Sequence, residues 1–135
     1  MKRFLLFGLL VAIMLVGCDL FPSIGFDDVK GEWDFSDVKV NDISYENVHL
    51  SILEGHEEGY TVGVDLHLGD ELFYYGDGNM DGNKYTGYYK IGGDTTEASY
   101  QITVVFSLKD DRLKAIFDGK GPLDGLILEH GTRSD

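Results

Sequence analysis

The chain predicts an all-β fold, an eight-stranded antiparallel up-and-down barrel, and three observations carry that expectation. Tyr60, Val62, Val64, Leu66 and Leu68 alternate with Thr61, Gly63, Asp65 and His67, and Tyr100, Ile102, Val104, Phe106 and Leu108 alternate mostly with Gln101, Thr103 and Ser107. A period of two with one apolar face marks strands that bury one side. The connections between such stretches are short and rich in Gly and Asp, which suits hairpins and leaves no room for a helical crossover. Beyond residue 30 no stretch has the spacing of an amphipathic helix.

The chain opens with Met1-Lys2-Arg3 and runs apolar for 13 residues from Phe4 to Val16, interrupted only by Gly8. A basic start followed by a short apolar run is the pattern of a secretory signal peptide. A spanning helix needs roughly 20 apolar residues, so removal is the expectation for residues 1–17. Leu15-Val16-Gly17-Cys18 resembles the bacterial lipobox. That resemblance implies cleavage before Cys18, a diacylglyceryl group on the Cys18 thiol, and often acylation of the new amino group. Two or three acyl chains, at about 0.8 kcal/mol per buried methylene, hold a protein firmly on a membrane. The expected location is the extracytoplasmic side of the cell envelope. Asp19 resembles the inner-membrane retention signal of enterobacterial lipoproteins, and the choice between inner and outer membrane stays open. Cys18 is the sole cysteine, so the mature domain rests on burial without an internal disulfide.

Residues 18–30 form the expected tether. Pro22 and Gly25 break any long helix there, and one short turn fits near Phe26 to Val29. The barrel domain covers residues 31–135. Its expected strands are Gly31 to Val38, Val48 to Glu54, Tyr60 to Leu68, Glu71 to Tyr75, Lys84 to Ile91, Tyr100 to Leu108, Arg112 to Asp118 and Gly125 to His130, with Gly76 to Asn83 as a wide hairpin connection. Closure of such a meander removes exposed strand edges.

Gly31-Glu32-Trp33 at the first strand resembles the G-x-W motif of the lipocalin and wider calycin group. Gly131-Thr132-Arg133 resembles the place where those barrels set a basic residue against the Trp. The resemblance implies a small apolar or amphipathic ligand held at one barrel mouth, with Trp33 at the floor and Phe73, Tyr75, Tyr85 and Tyr89 as candidate ligand-binding residues on two adjacent strands. The same aromatic residues also suit cross-strand packing inside a filled barrel.

Removal of residues 1–17 takes away Lys2 and Arg3 and no acid, so 11 basic residues fall to 9 against 24 acidic ones, a formal charge of −15 over 118 residues. Such a surface repels nucleic acid and fits a basic or neutral macromolecular partner. The second functional expectation is therefore an acidic interaction module meeting a basic envelope protein. The two readings separate on interior volume, several hundred Å³ for a ligand carrier and a filled core for a module.

Asp77, Asn79 and Asp81 stand at alternate positions ahead of Gly82, which resembles the opening of a Ca²⁺ loop, but position twelve is Tyr88 where a bidentate carboxylate is needed. His49, His56, His67 and His130 have no ligand spacing, although antiparallel neighbours can bring His49 and His67 together on an outer face. No metal or cofactor is expected. The chain has no Gly-x-Ser-x-Gly elbow, no His-Glu-x-x-His and no phosphate loop, and its paired carboxylates Glu57-Glu58 and Asp110-Asp111 fall in turns. The expectation is a protein without catalytic residues.

Overall fold

The computed structural model describes residues 24–70, 72–93 and 98–134. The expected signal peptide, Cys18 and Asp19 lie outside the described residues. The rest is one closed antiparallel barrel whose strands pair in chain order: β1 (Gly31–Val40), β2 (Ile43–Glu54), β3 (Val62–Leu68), β4 (Leu72–Asp81), β5 (Lys84–Ile91), β6 (Ser99–Lys109), β7 (Arg112–Gly119) and β8 (Ile127–Arg133). Closure comes from β1 against β8, with Trp33 opposite Arg133 and Asp34 opposite Thr132.

The alternation translates directly into burial. Val62, Val64, Leu66 and Leu68 of β3 and Ile102, Val104 and Phe106 of β6 point into the core, joined by Leu50, Leu113 and Leu128 from other strands. Phase breaks occur where the chain needs a change of direction. Asp37 takes φ +54° where the β1–β2 pairing skips one residue on each strand, from Ser36–Asn47 to Val38–Tyr45, without a shift of register. That local break in phase lets Phe35 and Val38, three residues apart, both face inward.

Each end of the barrel is closed. At one end α1 (Phe26–Val29) places Val29 in the core, starting from Gly25, whose N–H donates to Asp28 Oδ2 at 2.8 Å. Residues 26–30 thus belong to the barrel's closure. At the other end the β7–β8 connection inserts Leu123 and Leu126.

Several boundaries differ from those expected. Strand β2 begins at Ile43, because Asn41 and Asp42 take φ +49° and +67° and turn the hairpin within two residues. Strand β4 continues to Asp81 through the segment expected as a wide connection. Its glycines serve close strand approach: a Cβ on Gly78 would meet the Thr86 carbonyl oxygen at 2.4 Å, and one on Gly76 the Tyr88 oxygen at 2.1 Å. The last strand also starts later, at Ile127, and ends at Arg133.

Candidate functional site

Alternation divides the expected ligand-binding residues between two surfaces. Tyr85 and Tyr89 face the barrel interior together with Tyr74, and Trp33 is buried at the α1 end. Phe73 and Tyr75 face outward, as neighbours of the inward Tyr74 must, so the five residues do not form one lining.

The interior is filled. Val64, Leu66, Tyr74, Tyr85, Tyr89 and Leu123 surround a void of only about 20 Å³, room for roughly one water. Ligand sites for drug-sized molecules run to about 300–1,000 Å³. The Tyr85 hydroxyl is buried without a hydrogen-bond partner, and burial holds its pKa far above the usual phenol value. The Tyr89 hydroxyl is fully used: it donates to the Lys120 carbonyl at 2.7 Å and accepts from the Leu123 N–H at 2.9 Å. Asn41 Nδ2 adds a bond to the Pro122 carbonyl at 3.1 Å. These contacts fasten the β7–β8 connection across the mouth.

The outer face of β1–β4 carries the densest chemistry. Strand registers set Glu32 beside Ser51, Asp34 beside His49, Ser51 beside Asp65, and His49 beside His67. His49 is held between two carboxylates, Nδ1 at 2.7 Å from Asp34 and Nε2 at 2.5 Å from Glu32. Partial burial opposes charge on His49, but the hydrogen bonds and charges of Asp34 and Glu32 outweigh it and raise its pKa. The imidazolium then donates from both nitrogens. The Ser51 hydroxyl, followed by His49, lowers the Glu32 pKa against burial; the Ser134 hydroxyl, followed by His49, does the same for Asp34.

Beside this group, the β2–β3 loop folds down onto the sheet. The His56 N–H donates to Asp77 Oδ1 at 2.7 Å and its Nδ1 lies 3.2 Å from the same oxygen. Thr61 donates through N–H and hydroxyl to Asn79 Oδ1 at 3.1 and 3.0 Å. Asp77 and Asn79 therefore act as loop anchors from within a strand, while Asp81 is exposed at the β4–β5 turn. Among the described residues no three His, Cys, Asp or Glu side chains converge as metal ligands. Asp65 lies under the loop with Oδ1 unpartnered, and burial raises its pKa although His56, 3.8 Å away, opposes the rise.

An aromatic stack crosses the same face. His67 stacks on Phe73 at 4.5 Å and 21°, and Phe73 on Tyr75 at 5.5 Å and 23°, with Tyr75 37% exposed. Flat π faces beside carboxylates attract ammonium and guanidinium groups. The pairing of His49 with His67, expected from antiparallel neighbours, is present with ring centres 6.5 Å apart. Glu32, Asp34 and Asp65 went unselected in the sequence; their signal was the outward phase of Gly-Glu-Trp-Asp-Phe and of Val-Asp-Leu-His-Leu, readable once strand registers are known.

Charge is divided around the barrel. Residues 31–83, which form β1–β4, contain 13 acidic residues and one basic residue, Lys39, whereas residues 84–135 contain eight acidic and seven basic residues. Nearly all the excess negative charge of the barrel thus belongs to the half that carries the aromatic stack. The chain matches no family model, no curated protein and no solved structure.

Proposed function

We propose that this chain is a lipid-anchored protein of the cell envelope whose filled barrel is a scaffold, presenting the acidic and aromatic face of β1–β4 to a basic protein. The observation that carries this reading is the interior void of about 20 Å³, too small for an organic ligand, beside an outer face where carboxylates and stacked rings stand together. A lysine- or arginine-rich segment of the partner would meet Glu32, Asp34 and the Phe73 and Tyr75 rings. The lipobox-like Leu15-Val16-Gly17-Cys18 supports the anchor. Arg133 over Trp33 and the eight-stranded closure support the lipocalin-like resemblance of the barrel.

Photo-crosslinking in the native host tests the face. A crosslinker at Tyr75 should capture a basic envelope protein, with capture falling several-fold in Glu32→Gln/Asp34→Asn and at high salt. Capture that ignores both changes rejects the reading. Metabolic labelling with an alkyne fatty acid should mark the wild type and leave Cys18→Ser unlabelled.

One observation favours a second reading, a small apolar or amphipathic ligand. The buried Tyr85 side chain lines the internal void with Tyr74 and Tyr89, under a mouth connection held by the Tyr89 hydroxyl and Asn41. Native mass spectrometry of the gently purified protein, before and after denaturation, would show a defined extra mass if a ligand occupies the barrel.

A further inference from the structure

The half of the barrel opposite the acidic face carries an apolar row that its own fold leaves uncovered. Val105 of β6 pairs with Ile116 of β7, which pairs with Ile127 of β8, and all three point outward at 38, 39 and 50% exposure. Lys84 of β5 continues the row beside Val105. Toward the β6–β7 turn follow Ser107 opposite Lys114 and then Lys109 opposite Arg112; in the other direction lie Thr103 and Asp118. The acidic groups nearby are Asp110 and Asp111 in the turn, Asp118, and Glu129, which pairs with Lys114 at 3.3 Å. The basic residues Lys84, Lys109, Arg112 and Lys114 match these four in number, so this face is near neutral on a strongly acidic protein.

The first described residues lie at the end of the barrel that carries the β4–β5 and β6–β7 turns. A Cβ on Gly25 would sit 3.8 Å from the Gly82 carbonyl oxygen in the β4–β5 turn, and Asn83 next to it bonds Phe106 of β6 at 2.9 Å. Ile24 stands only six positions after Cys18, a reach of about 20 Å when fully extended. A barrel held that close to a bilayer must turn some side toward it, and an anionic lipid surface repels the β1–β4 half.

We propose that the β6–β8 face rests on the membrane, with Val105, Ile116 and Ile127 entering the headgroup layer and Lys84, Lys109 and Arg112 meeting lipid phosphates. The orientation rests on the lipid-anchor reading. It leaves the acidic β1–β4 face directed away from the bilayer, open to a partner.

The test uses the mature lipoprotein purified from its host and reconstituted in vesicles of phosphatidylethanolamine and phosphatidylglycerol. Single cysteines, Ile116→Cys and His67→Cys, are labelled with an environment-sensitive fluorophore, and doxyl-labelled lipid is added as quencher. Quenching several-fold stronger at position 116 than at 67 is expected. A second variant guards against damage at position 116 itself: a label at Ser107→Cys should be quenched, and should lose that quenching when Ile116→Ser and Ile127→Ser are added. Equal quenching on both faces, or stronger quenching at 67, overturns the orientation. Energy transfer between labels at position 116 on different chains, without lipid quenching, assigns the face to a second copy and also overturns it. Failure of the unlabelled protein to float with vesicles overturns the anchor, and the orientation with it; flotation without quenching at 116 overturns the orientation alone.

Discussion

The guanidinium of Arg133 lies over the Trp33 ring, 4.3 Å from its centre, and donates to the carbonyls of Lys30 at 2.9 Å and Asp28 at 2.7 Å. The indole N–H donates in turn to the Val29 carbonyl at 2.8 Å. Two side chains from opposite ends of the domain's sequence thereby donate to the free carbonyls around α1 and pin it over the barrel end. Stacking and two charge-assisted hydrogen bonds act together here.

Arg133→Ala should therefore destabilise the domain by about 2–3 kcal/mol, the order of a charge-assisted hydrogen bond plus stacking. Arg133→Lys should recover less than half, because an ammonium cannot reach both carbonyls while covering the ring. The single Trp makes the measurement direct: the urea midpoint followed by Trp33 fluorescence should fall in both variants, and the native emission of Arg133→Ala should shift as water reaches the indole.

His49 gives the stability of the fold a pH dependence. Burial opposes its charge, but Asp34 and Glu32 raise its folded pKa above the ordinary imidazole value. A raised histidine pKa stabilises fully below the unfolded value and loses that contribution as pH rises through the folded one. The wild-type denaturation midpoint should thus decline as pH rises from about 6.5 through the raised folded value, and His49→Gln should flatten that slope. Glu32 and Asp34 have lowered pKa values, so their contribution is present above the unfolded carboxylate range and is lost on acidification. An unchanged slope in His49→Gln would remove the imidazolium from this account.

How much of this was readable beforehand depended on where a residue stands relative to the core. Val62 to Leu68 and Ile102 to Leu108 cross the barrel's middle, so each inward position needs an apolar residue and the period of two is unbroken. The first half of β2, Ile43 to Asn47, is mostly exposed and carries Asn, Asp, Ser and Glu nearby, a composition typical of connections. Gly76 and Gly78 looked like turn residues because Gly serves both turns and close strand approach; only the position of the neighbouring backbone tells them apart. At the site, the side of the sheet that each residue takes follows from phase alone, which is why the meeting of His49 with His67 was legible. The two carboxylates on His49 also require the β1–β2 register, and the break in burial phase at Asp37 hides that register from the sequence.

Asp65 should be a position where removing charge stabilises. Burial raises its pKa, Oδ1 has no hydrogen-bond partner among the described residues, and His56 Nε2 is 3.8 Å from Oδ2. At pH 7 the folded state holds a partly desolvated carboxylate that the unfolded chain solvates freely. Asp65→Asn should raise the thermal midpoint at pH 7, by the order of about 1 kcal/mol, and the gain should shrink on acidification as the wild-type carboxyl becomes protonated. Calorimetry at pH 7 and pH 4.5 checks both signs, and a loss of stability at pH 7 would mean that Asp65 is satisfied in solution.

Two tyrosines on one strand should respond oppositely to the same change. The Tyr89 hydroxyl bridges Lys120 and Leu123, so Tyr89→Phe leaves the Leu123 N–H and the Lys120 carbonyl without that partner and should cost about 1–2 kcal/mol. The loss should appear locally as faster amide exchange across residues 120–126 and as easier entry of an apolar dye into the barrel. The Tyr85 hydroxyl is buried with no hydrogen-bond partner among the described residues, and its ring lies against Gly78, where a Cβ would come within 2.8 Å. Tyr85→Phe removes an unmet polar atom while keeping the ring, so stability should be unchanged or higher. A marked loss in Tyr85→Phe would show that a bound water or other hydrogen-bonding molecule meets that hydroxyl, because only such a partner makes it worth keeping.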